Sequence, residues 1–90
     1  MFPDYLDGAK VLEYTNRGHY GFITDFDEDD HPIEKEIRYY AIAQYENDTD
    51  NFYIFSCDES FEVFGDGCLW TLEMCKNCAD LPEDTVWHKK

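Results

Sequence analysis

Positive charge is what this chain most conspicuously lacks: Lys and Arg total 7 against 21 Asp and Glu, a formal net charge of −14 over 90 residues. Proteins that grip nucleic acid displace counterions from phosphates with Lys and Arg, and anionic membranes attract clusters of the same residues. Direct binding to either is therefore not expected. Long apolar runs are missing too, and none approaches the roughly 18 residues of a spanning helix. Met1–Asp7 has neither the basic start nor the apolar stretch of a secretion signal. No GxSxG, HExxH, P-loop or dinucleotide glycine fingerprint occurs. Without an export signal, the four cysteines are expected as reduced thiols in a cytoplasmic protein.

What is present suffices for one core. Hydrophobic residues make up 43% of the chain and aromatics 18%, above the level of a disordered polyanion. Residues 1–90 are read as one domain, because a chain this short buries only about 60% of its unfolded surface and cannot support a second core. Ala9–Tyr14 reads as a first strand, Thr15–Gly18 as a turn, and His19–Thr24 as an alternating strand that would complete a hairpin. A polar stretch, Asp25–Pro32, follows. Ile37–Tyr45 is the strongest strand, with Ile37, Tyr39, Ala41, Ala43 and Tyr45 on one face. The small alanines leave room there, most simply for a helix. Asn51–Cys57 and Phe61–Phe64 are two more strands, with Gly65–Gly67 closing the sheet.

The last third changes period. Thr71 is placed as the N-cap of a helix running to Ala79 or Asp80, with Leu72, Cys75, Cys78 and Ala79 on its apolar face and a Glu73–Lys76 pair outside. Val86 and Trp87 are expected to fold back over the core. The expected fold class is α+β: an antiparallel meander of about five strands with one C-terminal helix packed on one face.

The pattern AIAQY, an acidic turn, FYIFSCDESFEVFGD, then TLEMCKNCA and a Trp, spanning about residues 40–87, resembles small uncharacterised acidic α+β proteins of bacteria and phage. That resemblance implies a bacterial or phage origin and a packing role for Cys75. By size and charge it also suggests an immunity-like inhibitor, an analogy of layout rather than of site.

Three constellations could carry chemistry. Cys68, Cys75, Cys78 and His88 would satisfy tetrahedral zinc, or Cys75 and Cys78 a redox pair. However, only one CxxC is present, it sits inside the helix rather than at its N-terminus, and its cysteines fall on the apolar face, where a thiol behaves as a small hydrophobe. No cofactor is expected. Asp25, Asp27, Asp29 and Glu36 have the spacing of a calcium loop, but Asp30 stands where the sharp turn demands Gly and Pro32 follows. Cys57 with His19 or His88 has the residue types of a nucleophile and its base, but the adjacent Asp58 and Glu59 raise a thiol pKa. A non-enzyme is expected.

The charge is unevenly spread. Ten of the acids lie within Asp25–Asp50, against Lys35 and Arg38 alone. The reading is an inhibitor that occludes a basic surface: a nuclease toxin, for which this chain is the immunity protein, or a nucleic-acid-handling complex, for which it is a mimic. Complementary charge speeds such association. The contact residues expected are Asp25, Asp27, Glu28, Asp29, Asp30, Glu34, Glu36, Glu46, Asp48 and Asp50, with Tyr40 as aromatic anchor. The rival readings are the metal or redox protein and an acidic domain whose charge serves solubility alone.

Overall fold

The computed structural model describes residues 2–78, 81–82 and 84–90. Eight strands and one helix follow in order: β1 (Tyr5–Leu6), β2 (Ala9–Thr15), β3 (Phe22–Phe26), β4 (Pro32–Glu36), β5 (Tyr39–Tyr45), β6 (Asp48–Cys57), β7 (Val63–Leu69), α1 (Leu72–Cys78) and β8 (Trp87–Lys89). The main sheet is antiparallel and curled into a half-barrel, in the order β1-β2-β5-β6-β7, with β8 pairing to β2 beyond β1. β3 and β4 form a separate two-stranded sheet. The α+β class holds, although strand dominates at 53% and the helix has only seven residues.

Several expectations are corrected. Residues 19–24 do not pair with β2. Instead, β2 pairs with β5, and β3 pairs with β4 across Asp27–His31. Gly65–Gly67 lies within β7 rather than closing the sheet. Gly65 allows a close approach there: a Cβ would lie 3.1 Å from the end of the Ile23 side chain. The alanine face of β5 is not covered by the helix. Ala41 and Ala43 pack with Phe2, Leu6, Val11 and Phe55 in one core, and large side chains from the curled sheet and the N-terminal segment fill the space the alanines leave. The helix covers the opposite face, where Ile42, Ile54 and Cys75 form a second core with Leu72, Leu69 and Trp87.

A β-bulge decides how β2 serves both cores. Val11 lies opposite Ala43 and Tyr14 opposite Ala41, but the register shifts between Val11 and Glu13. The extra residue reverses the pleat. Ala9, Val11 and Tyr14 therefore meet the alanine face, while Glu13 lies opposite Ile42 on the helix side. There Glu13, 4% exposed, pairs with Lys76 of α1 at 2.9 Å. Lys76 also lies 5.8 Å from the Trp87 ring centroid. The expected Glu73–Lys76 pair is replaced by this link from helix to sheet.

Thr71 caps the helix as the sequence indicates, its Oγ1 accepting from the Met74 N–H at 3.0 Å. Cys75 is buried on the inner face, whereas Cys78 is exposed. The expected extension through Ala79 and Asp80 lies outside the described residues. Trp87 does return to the second core, but Val86 stays 51% exposed.

Candidate functional site

The segment 18–38 forms an arm. At its base, Gly18 N–H donates to the Arg38 carbonyl, Tyr20 N–H to the Ile37 carbonyl and Ile37 N–H to the Gly21 carbonyl. Arg38 Nε adds a bond to the Gly18 carbonyl at 2.7 Å. Gly21 has φ +119°, a conformation side-chain-bearing residues rarely adopt, and it bends the stem. Beyond the bend, β3 and β4 pack chiefly on each other. They meet the main sheet where Ile23 lies over Gly65 and Lys35 lies 5.8 Å from the Phe64 ring centroid.

The tip is built by one aspartate. Asp27 N–H donates to the His31 carbonyl and Asp30 N–H to the Asp27 carbonyl, while Asp27 Oδ1 accepts from Asp29 N–H and His31 N–H, each at 2.9 Å. Asp30 takes φ +61°, so the three-residue loop of the hairpin ends on a left-handed residue, as such loops commonly do. The same device recurs at Asp58–Glu62, where Asp58 Oδ1 accepts from Ser60 and Glu62 and Phe61 takes φ +65°. In both loops a short acidic side chain satisfies backbone donors that the turn leaves unpaired.

Cross-strand register sorts the arm into two faces. Ile23, Asp25, Ile33 and Lys35 share the face turned to the main sheet, with Lys35 Nζ 3.6 Å from Asp25. Phe22, Thr24 and Phe26 share the other with Glu36, Glu34 and Pro32. There Phe22 is 63% exposed and Phe26 60%. Two exposed phenylalanines on one face of a two-stranded hairpin, above four consecutive acids at the turn, form the least self-satisfied surface of the arm. Sequence reasoning passed over Phe26. The alternation Phe22-Thr24-Phe26 would have shown this strand had Asp27–Asp30 been read as a turn.

The expected contact residues divide accordingly. Glu28, Asp29, Asp30 and Glu34 are exposed and form no ion pair among the described residues. Glu36 is held at the stem by His19 Nδ1 at 2.9 Å, with Arg38 Nη1 at 3.6 Å. Glu46 and Asp50 are exposed at the far end of β5, about 20 Å away along a seven-residue strand at ~3.3 Å per residue. Asp48 is occupied there, accepting from Asn51 Nδ2 and Tyr53 Oη at 2.9 Å each. That carboxylate is the first cause of the Tyr53 phenol being held above its ordinary range, with Cys68 the next. Tyr40 is half-buried in the second core, its ring 5.7 Å from that of Tyr20. The foot of the arm at Glu36 and the Glu46–Asp50 turn therefore lie beyond opposite ends of β5.

Among the described residues, no three of Cys68, Cys75, Cys78 and His88 bring donor atoms within 4.8 Å of one another. His88 bonds Asn16 and lies against Tyr14, with ring centroids 5.4 Å apart. Burial pushes the Cys75 thiol up to about 11, helped by Cys78 and Cys68. Burial likewise pushes Cys57 up to about 12, with Asp58 and Asp7 adding to it, which leaves a protonated core thiol rather than a nucleophile. Donors of Asp27, Asp29 and His31 do converge within 4.8 Å at the arm tip, all exposed. Glu36 stands at the foot of the arm, opposite Phe22, so the calcium-loop set of Asp25, Asp27, Asp29 and Glu36 is not formed.

Comparison of the chain with family models, curated proteins and solved structures finds no match.

Proposed function

We propose that the protein is a non-enzymatic binding module that occludes a basic surface of a partner protein, and that the β3–β4 arm is the element that enters it. The observation carrying this reading is the arm itself: exposed Phe22 and Phe26 beside the carboxylates Glu28, Asp29, Asp30 and Glu34, which form no ion pair among the described residues. A charge needed only for solubility requires no exposed aromatics on the same face, since apolar patches lower solubility. Carboxylates steer a basic partner, and the phenylalanines supply the desolvated anchors that hold it. Each carboxylate singly contributes little, as exposed pairs are worth about 0–1 kcal/mol, so the effect is collective. A basic nuclease and a nucleic-acid-handling complex both fit, and an inhibited activity in the captured partner identifies the class.

The test is a pull-down from host lysate with three baits at two salt concentrations. The wild type is compared with a neutral-tip variant (Asp27→Asn, Glu28→Gln, Asp29→Asn, Asp30→Asn) and with Phe22→Ser/Phe26→Ser. The asparagines preserve the Asp27 acceptor and tolerate the left-handed position. A partner retained by the wild type at low salt and lost by both variants supports the reading. A partner retained equally by all three refutes it.

A further inference from the structure

We infer that the open edge of β7 accepts an extended segment of a partner protein as an added strand, one that alternates Lys or Arg with apolar residues. This borrows only the partner's positive charge from the proposed function and concerns a different surface. β7 runs seven residues with β6 on one side, and among the described residues no segment pairs with its other side. Such an edge is a ready template for another strand unless Lys, Pro or a cover blunts it. β7 has no Lys and no Pro.

The side chains around this edge specify the occupant. Gly65 and Gly67 pair with Ser56 and Ile54, and the groove of about 260 Å³ beside them is lined by Ile23, Tyr40 and Ile54. An added strand places alternate side chains on the glycine side, next to this largely apolar groove, where apolar groups meet Ile23 and Ile54. Its other side chains fall beside Asp66, which is exposed, with exposed Glu62 before the strand. Trp70, 76% exposed, directly follows β7 and covers the end of the added strand. The arm meets β7 at Gly65 and Phe64, so the two surfaces are contiguous. A second copy of this chain is the wrong occupant, since each copy carries −14 and the pair would repel.

The probe is a blocked heptapeptide alternating Lys and Val, beside the same peptide N-methylated at alternate amides and a Glu/Val analogue. Amide hydrogen exchange across 63–69 is the readout. The Lys/Val peptide is expected to slow exchange there at least about tenfold and to shift Trp70 fluorescence, while both analogues leave exchange unchanged. N-methylation removes backbone donors and keeps the charge, so it separates strand addition from attraction to the arm. Asp66→Lys is expected to abolish the slowing with an unchanged circular dichroism spectrum, and the neutral-tip variant to retain it. No slowing across 63–69, equal slowing by the N-methylated peptide, or protection arising from self-association would each overturn the inference. So would loss of slowing in the neutral-tip variant with Asp66→Lys unaffected, which would place the peptide on the arm.

Discussion

Replacing Lys76 by Met removes the cationic partner, the only one among the described residues, of a carboxylate that the sheet has already buried. The Glu13 side chain is 6% exposed and that of Lys76 29%, with 2.9 Å between Nζ and Oε1. At an effective dielectric of 20, unit charges at that distance attract by roughly 6 kcal/mol, much of it offset by desolvation. Truncating one partner of a fully buried pair costs about 3–5 kcal/mol, because the other charge stays behind without compensation. Lys76 reaches solvent, and water can partly take its place, so about 2–4 kcal/mol is expected for Lys76→Met. Glu13→Gln leaves a lysine able to turn to solvent and should cost about 1 kcal/mol. At ~4–8 °C per kcal/mol for a domain of this size, the first variant should melt about 10–25 °C below the wild type. The double variant Glu13→Gln/Lys76→Met should recover most of that loss. Urea unfolding of all four proteins at pH 7 closes the cycle. Equal effects of the two single variants, or a double variant as unstable as their sum, would refute the claim that an uncompensated Glu13 charge is the cause.

Native alkylation should modify Cys68 and Cys78 within minutes and spare Cys57 and Cys75, as two adducts by mass spectrometry. The buried thiols, raised to about 12 and about 11, stabilise the fold fully below the unfolded thiol pKa and lose that contribution as pH rises through the folded values. Between about pH 9 and 11, wild-type stability should therefore fall by ~1.4 kcal/mol per pH unit more steeply than that of Cys57→Ala, measured by urea titration. At Phe61, φ +65° strains the backbone while the ring packs on Phe2 and Tyr39. Both Phe61→Ala and Phe61→Gly should destabilise, but Gly by about 1 kcal/mol less, the reverse of the usual order, because only Ala keeps the left-handed strain. Gly21→Ala, at φ +119°, should loosen the arm, read as faster amide exchange across 22–36 with β5 and β6 unchanged.

The Thr71 cap, the strands at Ala9, Tyr39 and Asn51, and the two faces of β5 were all legible in the sequence because they rest on local rules: capping chemistry, period-2 alternation and residue size. The acidic segment 25–36 was legible as charge but not as an arm. Its hairpin depends on Asp27 accepting two backbone N–H groups and on Gly21 bending the stem, neither of which composition reveals. The helix was found, yet Cys78 was assigned to its inner face, because periodicity fixes relative angles along a helix and not which stripe the sheet will cover.

Charge, length and alternation by themselves determined an acidic chain of the α+β class with a strand-rich core. Tertiary structure alone decided which face each side chain serves. One extra residue between Val11 and Glu13 reverses the pleat of β2 and turns a carboxylate toward Lys76, and the pairing of β3 with β4 lifts the acidic segment into an arm. A bulge or a partner strand acts across distances in sequence that no local pattern spans, so the acidic segment became an arm only when the chain was folded.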